Sequence, residues 1–208
     1  MLFKAVAFDL DGTLVTEKSS WYKLHEYFGT KEKSKENMKA YEQGKITYDE
    51  FMRMDIGLWK PRPHISTIKE ILLSYHLTSN SKLVTKILKE KGYSLFIVTT
   101  APNILANSVA SELNIPYVAS NEFTFDNEGY LTQNTLFKVD LLKKEYALEK
   151  LLLTANIKCE ECIAVGDSKY DISFLGKAGL GIAFNPDNIL KEYAKFVIND
   201  MSELLQFT

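Results

Sequence analysis

Strand-length apolar runs recur along this chain with helix-length amphipathic segments between them, and that alternation restricts the fold more than any other feature. Phe3 to Phe8 is a short apolar run with aromatic and β-branched residues, ended by Asp-Gly turn chemistry at Asp11 and Gly12, which reads as a buried first strand. Lys82 to Lys91 reads as a helix with Leu83, Ile87 and Leu88 on one face and Gly92 suited to a left-handed C-terminal turn. A strand at Ser94 to Val98 follows it. The pattern repeats with a helix at Asn103 to Leu113, begun by Pro102, and a strand at Ile115 to Ala119. It repeats again with a helix at Val139 to Ala155, its apolar face built on Leu142, Tyr146 and Leu153, and the strand Ile163 to Val165. Ser168 to Ala178 is a further helix ended by Gly179, and Leu180 to Phe184 and Phe196 to Ile198 are the last strands. A helix between successive strands is what a parallel crossover needs. The predicted class is therefore α/β, an open doubly wound parallel sheet with a Rossmann-like core.

Two segments break the alternation. The stretch between Thr13 and Lys82 is far longer than the few residues that normally join a strand to its helix, so it reads as an insertion. Trp21 to Phe28, with Trp21, Leu24 and Phe28 in one stripe, and Lys31 to Gln43 have helical periodicity, which makes the insertion a small helical cap. The predicted division is a catalytic core of residues 1–15 and 80–208 and a cap of residues 16–79. The Lys/Glu-rich run from Lys31 to Lys39 reads as a solvated helix face. Glu122 to Thr132 alternates around Asp126-Asn127-Glu128-Gly129 and reads as a short β-hairpin.

Composition narrows the partners. With 46% hydrophobic and 12% aromatic residues the chain has the material for a core. Its 25 basic and 27 acidic side chains give a net charge of -2, with no bulk attraction for nucleic acid or an anionic membrane. No apolar run is long enough to span a bilayer, and Leu2 to Phe8 is cut off by Asp9 before it could form a signal-peptide core, so a cytoplasmic protein is expected. Cys159 and Cys162 form one C-x-x-C without a second ligand pair at zinc-finger spacing, and read as reduced thiols leading into a buried strand.

Ligands of open α/β sheets collect at the carboxyl ends of the strands, and the residues there share one chemistry. The first strand runs into Asp9-Leu10-Asp11-Gly12-Thr13, the second into Thr99-Thr100, and a later one into Gly166-Asp167-Ser168-Lys169-Tyr170-Asp171, while Lys138 precedes the helix leading to that strand. Aspartates at i and i+2 leaving a strand converge on one mouth if the chain turns at Gly12. Repulsion between them is relieved by a cation, and Asp167 adds a third carboxylate, which together suggest an octahedral Mg²⁺ site. Thr99 and Thr100 offer hydroxyls, Lys138 a positive charge, and the Gly12-Thr13 turn backbone N–H groups for a phosphoryl group. Asp9 is then the nucleophile, and Asp11 the acid for the leaving oxygen and the base for water. Asp171 caps the Ser168 turn and can orient a metal-bound water.

Asp9-Leu10-Asp11-Gly12-Thr13, Thr99, Lys138 and Gly166-Asp167 with Asp171 resemble the four signature motifs of the haloacid dehalogenase superfamily, across almost the whole chain. The insertion after the first motif resembles the helical-cap class, and Lys138-Val-Asp-Leu-Leu, Ala164-Val-Gly-Asp-Ser-Lys-Tyr-Asp-Ile-Ser and Lys177-Ala-Gly-Leu look most like the phosphoserine phosphatase branch. The resemblance implies Mg²⁺ held by Asp9 and Asp167, with Asp11 binding through its main-chain carbonyl, and a small phosphomonoester as substrate. Phosphoserine phosphatases usually carry Gly and Asn where this chain has Ser168 and Tyr170, and Ser-Gly where it has Thr99-Thr100. They read the substrate carboxylate with a cap Arg; here Asp55 falls at that place and Arg53 two residues away, on a different face of the helix. Glu17, Arg53, Asp55 and Trp59 are the candidate substrate contacts. A phosphotransferase using the same intermediate and a receiver-like signalling protein are the alternative functions.

Overall fold

The structure, a computed structural model, describes residues 3–208, so Leu2 of the opening apolar stretch lies outside the described residues. Its centre is one sheet of six parallel strands: β1 (Ala5–Phe8), β2 (Ser94–Pro102), β3 (Tyr117–Asn121), β4 (Cys162–Gly166), β5 (Leu180–Phe184) and β6 (Phe196–Ile198), in the order β3-β2-β1-β4-β5-β6. All four residues of β1 are buried, with Val6 and Phe8 in one apolar cluster and Ala5 and Ala7 in another. A strand covered on both faces is what parallel crossovers produce, and it explains the unbroken apolar run in the sequence. The order reverses direction beside β1, so the crevice of this fold opens at the carboxyl end of β1.

Helices α1 (Ser20–Tyr27), α2 (Lys31–Glu42), α3 (Tyr48–Leu58) and α4 (Ile65–Leu72) form the insertion. Ser19 caps α1 by accepting from the Tyr22 N–H, and Thr47 with Glu50 closes a capping box on α3. Main-chain bonds from Thr16 to His76 and from Thr78 to Leu14 bring the two ends of the insertion together. Leu24, Ile56, Trp59, Ile68 and Leu72 share a core with Val6 and Phe8 of the sheet, whereas Tyr41, Tyr48, Phe51 and Met52 form a cluster of their own. The other helices are α5 (Ser81–Glu90), α6 (Asn103–Leu113), α7 (Lys144–Thr154), α8 (Ile172–Lys177) and α9 (Asn188–Tyr193). The Glu122–Thr132 hairpin is present as a turn with paired main-chain bonds, Asp126 to Tyr130 and Thr132 to Thr124, rather than as full strands.

Three helices differ from their sequence reading, one of them the helix read from Ser168, which opens as a 3-10 turn over Lys169–Asp171 and is α-helical only from Ile172 to Lys177. The α5 face toward the sheet carries Val84 and Leu88, and Leu83 is exposed. The helix expected from Val139 starts at Lys144, because Asp140 accepts the Leu142 N–H and holds residues 139–142 in a turn. Its buried face is Lys144, Ala147, Leu148 and Leu152, while Leu142, Tyr146 and Leu153 point outward. Cys162 is enclosed in β4, where burial pushes its thiol up to about 12, so it is no thiolate. No helix among the described residues is long and apolar enough to cross a membrane.

Candidate active site

The end of β1 delivers Asp9 to the crevice, its N–H bonded to the Val165 carbonyl of β4. Asp9 Oδ1 accepts from Lys144 Nζ at 2.5 Å, and the same ammonium donates to Asp171 Oδ1 at 2.7 Å. All three side chains are buried. Burial, followed by repulsion from Asp171, raises the Asp9 pKa well above its ordinary value even though Lys144 opposes the shift. Burial would lower the Lys144 pKa, but Asp171 and Asp9 hold it above its ordinary value. Lys144 is thus a fixed cation between two carboxylates.

Asp167 follows β4 and is pushed up to about 6, chiefly by burial, against the hydrogen bond from Lys18 Nζ at 2.6 Å. Asp171 Oδ2 accepts from the Asp167 and Ser168 N–H groups, so the turn that caps α8 also sets the direction of Asp167. Gly12, at φ +78°, serves the same place: a Cβ there would lie 2.2 Å from Asp167 Oδ2. Carboxylate oxygens of Asp9, Asp167 and Asp171 lie within 4.8 Å of one another. Three desolvated carboxylates share Lys144 and the half-exposed Lys18 as their cations. An all-oxygen donor set with excess negative charge and a space kept clear by Gly12 fits a hard divalent cation such as Mg²⁺.

Asp11 differs from its neighbour. Its Oδ2 accepts from the N–H and the hydroxyl of Ser20, at 2.8 and 2.7 Å, and its Oδ1 is buried without a partner among the described residues. Burial raises its pKa and the Ser20 bonds oppose the rise. Ser20 is the first residue of α1, so the cap helix itself orients this carboxyl.

Above these groups is a cavity of about 680 Å³. Asp9, Asp11, Thr99, Thr100, Lys144 and Asp167 line its floor, and residues of α1, α2 and α3, with Lys18, Ser19, Leu141, Ser168 and Tyr170, line almost all of the rest. The Thr99 hydroxyl accepts from the Ala101 N–H, which leaves its own proton free to be donated.

Several expected contacts lie elsewhere. Lys138 is half exposed and pairs with Glu122 at 2.5 Å, because the helix begins five residues later than read and Lys144 of its first turn enters the site instead. Gly12 and Thr13 do not line the cavity: their N–H groups are bonded to the Glu17 and Leu10 carbonyls, so this turn offers neither as an anion donor. Glu17 accepts from the His76 N–H and ties the two ends of the insertion. Arg53 is held by Asp49 and the Gln133 carbonyl, and Trp59 is packed in the core. Of the four candidate substrate contacts only Asp55 lines the cavity. Lys144, Ser20, Lys18 and His25 were not singled out from sequence. Lys143-Lys144 offered two more cations for the same helix start, and Asp140, as a turn former, was the signal that the start comes late. Replacing Lys138 with Ala is expected to change stability by less than about 1 kcal/mol and leave turnover unaltered, measured by urea unfolding and phosphate release.

A family model described as a hydrolase, haloacid dehalogenase-like hydrolase, matches residues 3–179. The chain is 31% identical over 98% of its length to the phosphoserine phosphatase of Methanocaldococcus jannaschii, of which it covers 97%. It is 31% identical over 85% of its length to that of Lactococcus lactis subsp. lactis, of which it covers 81%. A solved phospho-aspartyl intermediate analogue of phosphoserine phosphatase matches with a TM-score of 0.83 at 30% identity, 100% of this chain and 99% of that one being covered.

Proposed function

Because the chain belongs to the haloacid dehalogenase-like hydrolases, close to their phosphoserine phosphatase branch, we propose that it is a Mg²⁺-dependent phosphatase of small phosphomonoesters that works through an aspartyl-phosphate on Asp9. It is a phosphoric monoester hydrolase, with residues 16–79 as its cap. The observation that carries the mechanism is the contrast between the two aspartates. Asp9 is locked by Lys144 through Oδ1, and Asp11 keeps an unpartnered Oδ1 beside it.

Asp9 Oδ2 forms the new bond to phosphorus as the bond to the alcohol oxygen breaks, and Asp11 gives that oxygen its proton. Asp11, now ionised, takes a proton from the water that attacks phosphorus, and inorganic phosphate leaves with Asp9 restored. Thr99 and Lys144 donate to the phosphoryl oxygens, and Lys144 also fixes which Asp9 oxygen attacks. A Mg²⁺ held by Asp9, Asp167 and the Asp11 carbonyl would supply positive charge to those oxygens.

Phosphate release from a panel of phosphomonoesters, with Mg²⁺ and with chelator, tests this reading. Turnover that the chelator removes is expected, and silence across the panel contradicts it. The pH dependence of metal binding follows from Asp167, which must be ionised to bind. Below about 6 it is protonated, and burial raises the pKa of Asp9, the other carboxylate ligand, as well, so Mg²⁺ affinity measured by calorimetry is expected to fall by at least about tenfold per pH unit there. Affinity independent of pH would remove Asp167 from the metal site.

A further inference from the structure

The wall of the cavity facing the cap has a different chemistry from its floor. Tyr48, Phe51, Met52 and Asp55 stand at i, i+3, i+4 and i+7 of α3, one face of the helix, and all four are buried and line the cavity. Asp55 therefore occupies the fourth place of an otherwise apolar stripe, 2% exposed. Its Oδ1 accepts from Asn37 at 2.7 Å and its Oδ2 from His25 Nε2 at 3.0 Å. His25 Nδ1 has two contacts, the Thr30 hydroxyl at 2.8 Å, which can donate or accept, and the Trp59 indole N–H at 3.2 Å, which can only donate. His25 Nδ1 is thus an acceptor, the ring proton is on Nε2, and the imidazole brings Asp55 a hydrogen bond without a positive charge. Among the described residues no lysine or arginine lies within ion-pair distance of Asp55.

A buried carboxylate with two neutral donors and no cation is costly, and each of its oxygens keeps a second acceptor position. The surface beside it is aromatic: Tyr48 and Phe51 on α3, and Trp21, whose indole is pinned to the Thr100 carbonyl at 2.9 Å. Ring faces around a carboxylate attract a cation. Among the described residues no arginine lines the cavity, and four lysines do. Lys144 is held between Asp9 and Asp171, Lys18 and Lys35 are paired with Asp167 and Glu32, and Lys39 is exposed on α2, so that none of them neutralises Asp55.

We propose that the alcohol portion of the substrate carries an ammonium group and requires no carboxylate, with Asp55 and the rings of Trp21, Tyr48 and Phe51 receiving the cation while Asp9 receives the phosphoryl group. This rests on the phosphomonoesterase reading. Asp55 is then the residue that sets specificity, and His25 and Asn37 position it.

The test compares kcat/KM for four small phosphomonoesters: phosphoethanolamine with an ammonium, phosphoglycolate with a carboxylate, ethyl phosphate with neither and phosphoserine with both. In the wild type, phosphoethanolamine is expected to exceed ethyl phosphate and phosphoglycolate by at least about tenfold, and phosphoserine to be no better than phosphoethanolamine. In Asp55→Asn the ratio of phosphoethanolamine to ethyl phosphate is expected to fall toward one. Phosphoglycolate or phosphoserine ahead of phosphoethanolamine overturns the proposal, as does a ratio that Asp55→Asn leaves unchanged. The wild-type ranking decides alone if the variant does not fold. Phosphate release from none of the four, nor from phenyl phosphate, overturns instead the phosphomonoesterase reading on which the proposal stands.

Discussion

Asp9→Asn is expected to fold and to lose on the order of 10⁴-fold or more of turnover. The amide keeps the shape of the carboxylate and an oxygen for the Lys144 ammonium, so the packing at the end of β1 is retained. It has no anionic oxygen to attack phosphorus. The stability effect has a defined sign. A carboxyl whose folded pKa lies above its unfolded value binds its proton more tightly in the folded state, so its ionisation costs stability as pH rises through that interval and above it. Removing the charge is therefore expected to leave the neutral-pH melting temperature unchanged or raise it. Thermal melting and steady-state phosphate release check both halves, and a variant with substantial turnover would remove Asp9 as the nucleophile.

Lys144→Ala is expected to be the most destabilising single change at the site, by about 3–5 kcal/mol near neutral pH, because it leaves Asp9 and Asp171 buried without the cation they share. The loss is expected to shrink as pH falls, since Asp9, whose pKa burial has already raised, then takes a proton and no longer needs a partner. Turnover is expected to drop about 10²–10³-fold in whatever fraction folds, from the missing positive charge on the phosphoryl oxygens. Urea unfolding at two pH values and single-turnover kinetics read these effects separately. Set beside Lys138→Ala the pair is diagnostic: two lysines six residues apart, one surface-paired with Glu122 and one enclosed between carboxylates, differ in consequence by several kcal/mol.

That pair also shows how the sequence informs and where it stops. Asp9, Asp11 and Asp167 were legible because each follows a strand whose apolar run is continuous, and a parallel sheet brings strand ends together whatever their distance along the chain. Thr99 and Thr100 were legible for the same reason. Lys144 was not, because its position depends on where α7 begins, and Leu142, Tyr146 and Leu153 mimic an apolar face that the structure turns to solvent. Gly12 was read for its turn, correctly, at φ +78°. Its second use, admitting the Asp167 carboxylate, is a contact across 155 residues that no local pattern displays.

The insertion was legible as helical but not in its contacts. Trp21, Leu24 and Phe28 form the expected stripe of α1, yet Ser20 beside them, which holds Asp11, resembles any residue near a helix start. Among the candidate substrate contacts, Arg53 had the charge expected of a reader, but Asp49 one turn earlier on α3 captures it. Asp55 stood out because it falls where the resembling phosphatases carry their cap Arg; that it sits on an apolar face of α3 shows only in the structure. The reason it is tolerated there, the His25 and Asn37 donors, comes from α1 and α2, which the sequence cannot place against α3.

The covalent step on Asp9 is the centre of the mechanism, and acid quenching during turnover followed by peptide mapping tests it most directly. A phosphoryl group is expected on the Asp9 carboxyl and on no other residue, at a level that rises in Asp11→Asn, which lacks the base for its hydrolysis. Steady turnover with no labelled carboxyl, or a label on a residue other than Asp9, would contradict it.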